Sequence, residues 1–280
     1  MEPTPVPYSD FGPIPPVESA VHSATGEWIY FWVFVALAVG GIIFAIIYGR
    51  KTKSFLPLMC MVGGALTIII EPLIDSHLQV WWPIHNQPDI FTVWGRNMPF
   101  MILFVVLVYF GVGTLLRLWV LNKYDVKAPL WQIYIVEVLM AYALEIPAIN
   151  MGLWHYYGQQ GLRFFGYPMW WPMVGGACGC LAGTVLYKMT PYLKGWKQLL
   201  AGIIVPMCVA AVYWGVSWPM FFVINLEPAT WIVYLAAAFS AGLAVMTVWL
   251  STILSGKYDY QRKLKFGKEI DKEVAPQIAV

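Results

Sequence analysis

The sequence predicts an all-α polytopic membrane protein, a seven-transmembrane-helix bundle with its N-terminus outside and its C-terminus cytoplasmic. Three observations carry that prediction. Of the 280 residues, 60% are hydrophobic and only 11% charged, with a mean hydropathy of +0.66. Soluble domains carry about 25% charged residues, so a water-exposed surface cannot be built from this chain. Apolar stretches of about 20 residues, the length that crosses the hydrocarbon core, recur seven times. The basic residues gather in alternate loops.

Taken in order, residues 1–26 form a proline-rich, acidic tail with Glu2, Asp10 and Glu18. They lack the basic start of a cleavable signal, so they read as an exposed, weakly ordered tail. A seven-helix transmembrane domain spans 27–255, with crossings near 28–48, 55–75, 98–121, 129–152, 168–188, 198–222 and 230–254. A basic cytoplasmic tail occupies 256–280. Arg50, Lys51 and Lys53 follow the first span; Arg117, Lys123 and Lys127 surround the turn after the third. Lys188, Lys194 and Lys197 follow the fifth, and Lys257, Arg262, Lys263, Lys265, Lys268 and Lys272 follow the seventh. Fifteen of the 17 basic residues thus fall on one side, leaving Arg96 and Arg163 for the other. The positive-inside rule makes the richer side cytoplasmic. The protein is therefore expected to be multi-pass, in a plasma membrane if bacterial and in the endoplasmic reticulum if eukaryotic. The net charge of +2 is explained by topology and gives no sign of nucleic-acid binding.

The polar residues inside this apolar frame are the functional candidates, because a charge at mid-membrane costs roughly 2.5–3.5 kcal/mol to insert. Glu71-Pro72-Leu73-Ile74-Asp75 places two carboxyls on one helix face at i and i+4. Glu145-Ile146-Pro147, followed by Asn150, echoes it in the fourth span. Trp81-Trp82-Pro83 and Trp170-Trp171-Pro172 suggest a weak internal duplication. Pro72 and Pro147 leave the carbonyls of Ile68 and Ala143 without donors, so both helices are expected to kink or loosen beside the acids. Desolvation and a neighbouring like charge are the conditions under which a carboxylic acid keeps its proton near neutral pH, which a proton donor requires. The plainer alternative is a structural ion pair of Glu71 or Asp75 with Arg96. Glu137 stands alone nearer mid-depth and reads as structural. The acids, with Arg96, His155, Asn150 and the rings of Tyr156, Tyr157, Trp171, Tyr213, Trp214 and Trp218, converge on the outer half of the bundle. An aromatic-walled cavity stabilises cations by about 0.5–2 kcal/mol per ring and keeps water from them.

Other chemistries are excluded or disfavoured by what the sequence lacks. Every lysine lies in a loop or at a span end, so no retinal Schiff base can form at mid-depth. The four histidines, His22, His77, His85 and His155, include no His-x-x-His or His-x-x-x-His pair, so no metal is expected. No Asp-Asp-x-x-Asp motif is present for magnesium and diphosphate. Cys60, Cys178, Cys180 and Cys208 sit in apolar runs and read as packing thiols.

On these residues the chain resembles the integral membrane terpene cyclases, of the fungal meroterpenoid and bacterial indole-sesquiterpenoid types, in size, span number and an acid on span two, here Glu71. The two-domain lycopene cyclases are a more distant likeness. The resemblance implies a metal-independent cyclase or isomerase without a cofactor, which starts by protonating a polyprenyl chain or its epoxide. Its partners would be an apolar prenyl-type substrate and the membrane lipids. Spans six and seven hold no acid, so the partner of Glu71 falls to Asp75 or Glu145. The expected catalytic residues are Glu71 as donor, Asp75 tuning it, and Glu145 or His155 taking the final proton. Arg96, Asn150, Tyr156, Tyr157, Trp171, Tyr213, Trp214 and Trp218 are expected to bind substrate. A different class, a proton-coupled transporter or lipid-binding protein, uses the same acids and proline-broken helices. A structural or assembly role in the membrane is the third reading.

Overall fold

The computed structural model describes residues 8–9, 12–13, 22–82, 86–94, 96–124, 128–226 and 228–256. Most of the expected tail before residue 22, the basic tail from 257 onward, His85 and Lys127 lie outside the described residues. The described chain is mostly helical: α1 (Ala24–Thr52), α2 (Leu56–Leu66), α3 (Glu71–Leu78), α4 (Phe100–Val106), α5 (Gly113–Lys123), α6 (Ala128–Asn150), α7 (Trp171–Met189), α8 (Ala201–Ile224) and α9 (Thr230–Leu254).

Among the described residues, five helical runs are long and apolar enough to cross a membrane: Ala24–Thr52, Phe100–Lys123, Pro129–Asn150, Gly195–Ile224 and Thr230–Leu254. A sixth is added if Leu56–Ile69 and Glu71–Leu78, bent by 55° at Ile70, count as one broken span. The remaining expected crossing, 168–188, is helical as α7 but falls outside that set. Its glycine-, alanine- and cysteine-rich sequence is buried by protein, packed against α5, α6, α8 and α9. A helix so enclosed does not need the apolar surface that a lipid-facing helix does.

The break before α3 has a local cause. Pro72 sits in the first turn of α3, where its missing N–H costs nothing, and a short 3-10 turn, Thr67–Ile69, tightens the end of α2. The expected loosening at Pro72 is therefore a full bend. At Pro147 the outcome differs: α6 continues as helix through the proline to Asn150. Among the carbonyls in that turn, Leu144 O accepts a hydrogen bond of 2.9 Å from Tyr30 of α1. Between α4 and α5 the span passes through a π-turn, Leu107–Val112. Gly64 of α2 packs directly on the backbone of Gly111 in that turn, and a Cβ on Gly64 would collide with it.

One end of the bundle is capped by loops. Val80–Trp81 pairs antiparallel with His155–Tyr156, and Asp89–Val93 pairs with Arg96–Pro99. Arg96 locks this cap: its guanidinium donates to Val80 O and to the Tyr157 hydroxyl (2.6 Å), between the Trp81 and Tyr157 rings. The start of α1 is stitched to the same end. Glu27, 2% exposed, accepts from Asn86 N (3.0 Å) and Nδ2 (3.1 Å) and lies 2.8 Å from His22 Nε2.

Candidate active site

Beneath the cap lies a cavity of about 60 Å³, room for a few waters rather than a folded chain. Each wall comes from a different element. The bend at Ile70 turns α3 inward and brings Glu71 and Asp75 onto the cavity, one helical turn apart. Glu137, Ala141 and Glu145 descend α6 on the opposite wall. The π-turn supplies Tyr109 and Phe110. Trp171, Pro172, Gly175 and Gly176 come from α7, and Tyr213 from α8. Trp82, Trp154, Tyr156 and Tyr167 close the capped end.

The carboxyls are not held alike. Asp75 Oδ2 accepts the indole N–H of Trp82 at 2.9 Å. Glu145 Oε2 accepts the indole N–H of Trp154 at 2.9 Å, with the Tyr156 hydroxyl at 3.4 Å. The two indoles touch each other, ring centroids 4.9 Å apart, and each adjoins a strand of the cap pair: Val80–Trp81 ends just before Trp82, and His155–Tyr156 begins just after Trp154. Two helix–carboxylate–indole units therefore face one another across the cavity. The Trp-Trp-Pro likeness does not account for this pairing, since the indole on Glu145 is Trp154, which belongs to neither triplet. Glu71 stands apart: its Oε2 is shut off from solvent and has no hydrogen-bond partner. The Tyr109 hydroxyl, beside Glu145, is likewise buried without a hydrogen bond of normal geometry.

Glu137 is not the lone residue that its sequence context suggests. It forms an ion pair with Arg117, which is fully buried and also bonds Gly113 O (2.9 Å), Gly176 O (3.2 Å) and Cys180 Sγ (3.2 Å). Arg117 accordingly is not a loop charge, and the basic side is marked by fourteen residues rather than fifteen. Glycines 113, 176, 179 and 183 make the room for this pair: a Cβ on Gly179 would stand 2.9 Å from Nη1 and one on Gly183 2.5 Å from the Arg117 Cβ. The signal in the sequence was an arginine within an apolar run, four residues after Gly113; the other three glycines lie far along the chain in α7.

Of the residues expected to bind substrate, Tyr156, Trp171 and Tyr213 line the cavity. Trp171 and Tyr213 are stacked, 4.8 Å between centroids and 8° between planes, with Phe110 edge-on to Tyr213. The others lie elsewhere. Arg96 and Tyr157 sit in the cap, and Arg96 makes no ion pair with Asp75 or Glu71, contrary to the structural pairing considered from sequence. His155 also lies in the cap, outside the cavity lining, its Nε2 buried and unpartnered. Burial, and then the nearby His22, push its imidazole below the usual histidine range. Asn150 bonds back to Ile146 O at 2.7 Å on an exposed face. Trp214 packs on His77, and Trp218, 53% exposed, packs on Phe239 at the outer surface.

Burial first, and the Glu145 carboxylate second, push the Tyr156 and Tyr167 hydroxyls well above the usual tyrosine range. Both stay protonated at the capped end and present O–H donors to the cavity. Among the described residues no group of three or more His, Cys, Asp or Glu side chains is placed to hold a metal ion, and all four cysteines are buried and free. Compared with protein-family models, with curated proteins and with solved structures, the chain matches none.

Proposed function

We propose that this protein is a membrane-embedded, metal-independent isomerase or cyclase, which protonates an apolar polyprenyl-type lipid in the acid-lined aromatic cavity. The observation that carries this reading is the unequal treatment of the carboxyls. Asp75 and Glu145 are held as hydrogen-bond acceptors by indoles, whereas a Glu71 oxygen is buried and unengaged. A protonated Glu71 donates to an alkene carbon or an epoxide oxygen. At an alkene the π pair forms the new C–H bond. At an epoxide an oxygen lone pair takes the proton, and the C–O pair moves onto oxygen as that bond breaks. Either way a carbocation and the Glu71 carboxylate remain. The faces of Phe110, Trp171 and Tyr213 stabilise that cation. Loss of a proton from carbon to Glu145 re-forms a double bond, so the reaction is redox-neutral and the product is an isomer of the substrate. In this reading Tyr109, its buried hydroxyl beside Glu145, carries protons onward. The cavity, about 60 Å³, must widen to admit a prenyl chain, and the cap is the part built of loops.

In the same reading the bundle has seven crossings, with α2–α3 as a broken second span and α7 as a protein-enclosed fifth. The N-terminus is outside, and the basic ends of α1, α5 and α7 are cytoplasmic.

The small volume, together with the ion pair that Glu137 of the cavity wall makes with buried Arg117, favours a second reading: a proton-coupled transporter whose carboxyls relay protons. Two measurements separate them. Purified protein is incubated in D2O with all-trans C15 and C20 prenyl acetates and their terminal epoxides. Isomeric products carrying one deuterium at the protonated carbon from the acetates, and their absence with Glu71→Gln, support the cyclase. Proton uptake into liposomes that depends on Glu71, without isomeric product, supports transport.

A further inference from the structure

Where the last turn of α1 meets the first turn of α2, a groove of about 430 Å³ opens on the surface. It shares no lining residue with the acid-lined cavity. Ala45, Ile46 and Gly49 form one wall, Phe55 and Leu58 the other, and Arg50 and Lys53 also line it. By helical rise, Arg50 stands roughly 6–8 Å along the axis beyond Ala45 and Ile46. Apolar and cationic parts are therefore separated along the direction in which a phospholipid separates its chains from its phosphate.

The groove is built rather than incidental. Lys53 ends α1 in the left-handed conformation, φ 49°, and Ser54 N then bonds Gly49 O at 3.0 Å. Gly49 is required for this close return, since a Cβ there would stand 2.8 Å from Ser54 O. Gln198, just before α8, fixes the turn from outside, its Oε1 accepting from Phe55 N and from Ser54 Oγ (3.1 Å). Among the described residues no carboxylate pairs with Arg50 or Lys53, the two cations that line the groove.

We propose that this groove binds an anionic phospholipid, with one acyl chain along Ala45, Ile46 and Leu58 and the phosphate between Arg50 and Lys53. Charge complementarity carries the choice of occupant: an apolar slot alone would accept any lipid, but a slot ending in unpaired cations selects an anionic one. The proposal stands on the groove itself and does not depend on the reaction assigned to the cavity.

The test is native mass spectrometry of the full chain, purified in detergent and titrated with phosphatidylglycerol or with phosphatidylcholine of the same acyl chains. The expected result is retention of one phosphatidylglycerol at concentrations where phosphatidylcholine is lost. Arg50→Gln with Lys53→Gln should weaken phosphatidylglycerol retention about tenfold or more, at roughly a decade or less for each basic residue near a phosphate. Lys188→Gln with Lys194→Gln removes the same charge elsewhere and should leave retention unchanged. Ile46→Trp keeps the charges but fills the slot, and should lower retention too, which separates site loss from misfolding in the charge variant. Excess glycerol phosphate should not displace the lipid. Equal retention of the two lipids, equal loss in both charge variants, or displacement by glycerol phosphate would overturn the proposal.

Discussion

Glu71, Asp75 and Glu145 occupy one cavity in three different states of engagement, and the difference resides in two indoles. Removing the Trp154 donor by Trp154→Phe leaves Glu145 Oε2 with only the 3.4 Å contact from Tyr156. A hydrogen bond to a charged group contributes about 1.5–3 kcal/mol, so the variant should unfold at lower temperature in detergent than wild type by that amount of stability. Trp218→Phe, on the outer surface, should change it little. His155 gives a pH test outside the spans. Its pKa is lowered in the folded protein, so the fold favours neutral imidazole. The stability this contributes is present above the unfolded value of about 6.5 and is lost as pH falls through the folded one. Amide exchange in Val80–Trp81 and His155–Tyr156, corrected for intrinsic rate, should therefore speed up between pH 7 and 5, and His155→Gln should remove that dependence. Protection that is flat with pH in the wild type would contradict it. The acids themselves were legible in the sequence because charge inside an apolar run stands out. The indoles were not, because tryptophan at a membrane boundary has an ordinary interfacial explanation, and only the fold shows which N–H reaches which carboxylate.

At the scale of elements, the sequence pattern identified the helices and the interruption at Pro72, but it also expected one at Pro147 and gave no sign of the π-turn. Pro72 and Pro147 look alike on paper, yet one lies at a helix start after a 3-10 turn and the other is carried within a continuous helix. α6 also carries a tertiary contact in that turn, the Tyr30 hydroxyl on its Leu144 carbonyl. The π-turn in the third span and the glycine contact that accompanies it carry no periodic signature. Gly64→Val should cost about 1–3 kcal/mol or more through overpacking, seen as a lower detergent melting temperature, while Gly40→Val, whose Cβ would meet nothing within 4 Å, should be tolerated. The Arg117–Glu137 pair provides a second test. Either single neutralisation, Arg117→Gln or Glu137→Gln, leaves a buried charge alone and should cost about 3–5 kcal/mol. The double variant should recover part of that loss, and strict additivity would contradict the pairing.

For the whole molecule, hydropathy and charge alternation made the membrane class legible, since they are sums over many residues and tolerate local errors such as counting Arg117 as a loop charge. The identity of a crossing is harder to read for α7, because a helix wrapped by α5, α6, α8 and α9 escapes the demand for lipid-compatible side chains on which hydropathy depends. If α7 crosses, single cysteines at Phe165, before it, and Tyr192, after it, both exposed, will react with an impermeant maleimide from opposite sides of the membrane. Labelling from the same side would reduce the count by one and invert the orientation that follows. The central claim concerns the cavity, and it is tested most directly by extracting apolar metabolites from cells that carry a polyprenyl supply and express either wild type or Glu71→Gln. Analysed by mass spectrometry, wild type should yield a new product isomeric with its precursor, and Glu71→Gln, produced in equal amount, should yield none. The same product profile from both proteins would contradict the assignment of Glu71 as the proton donor.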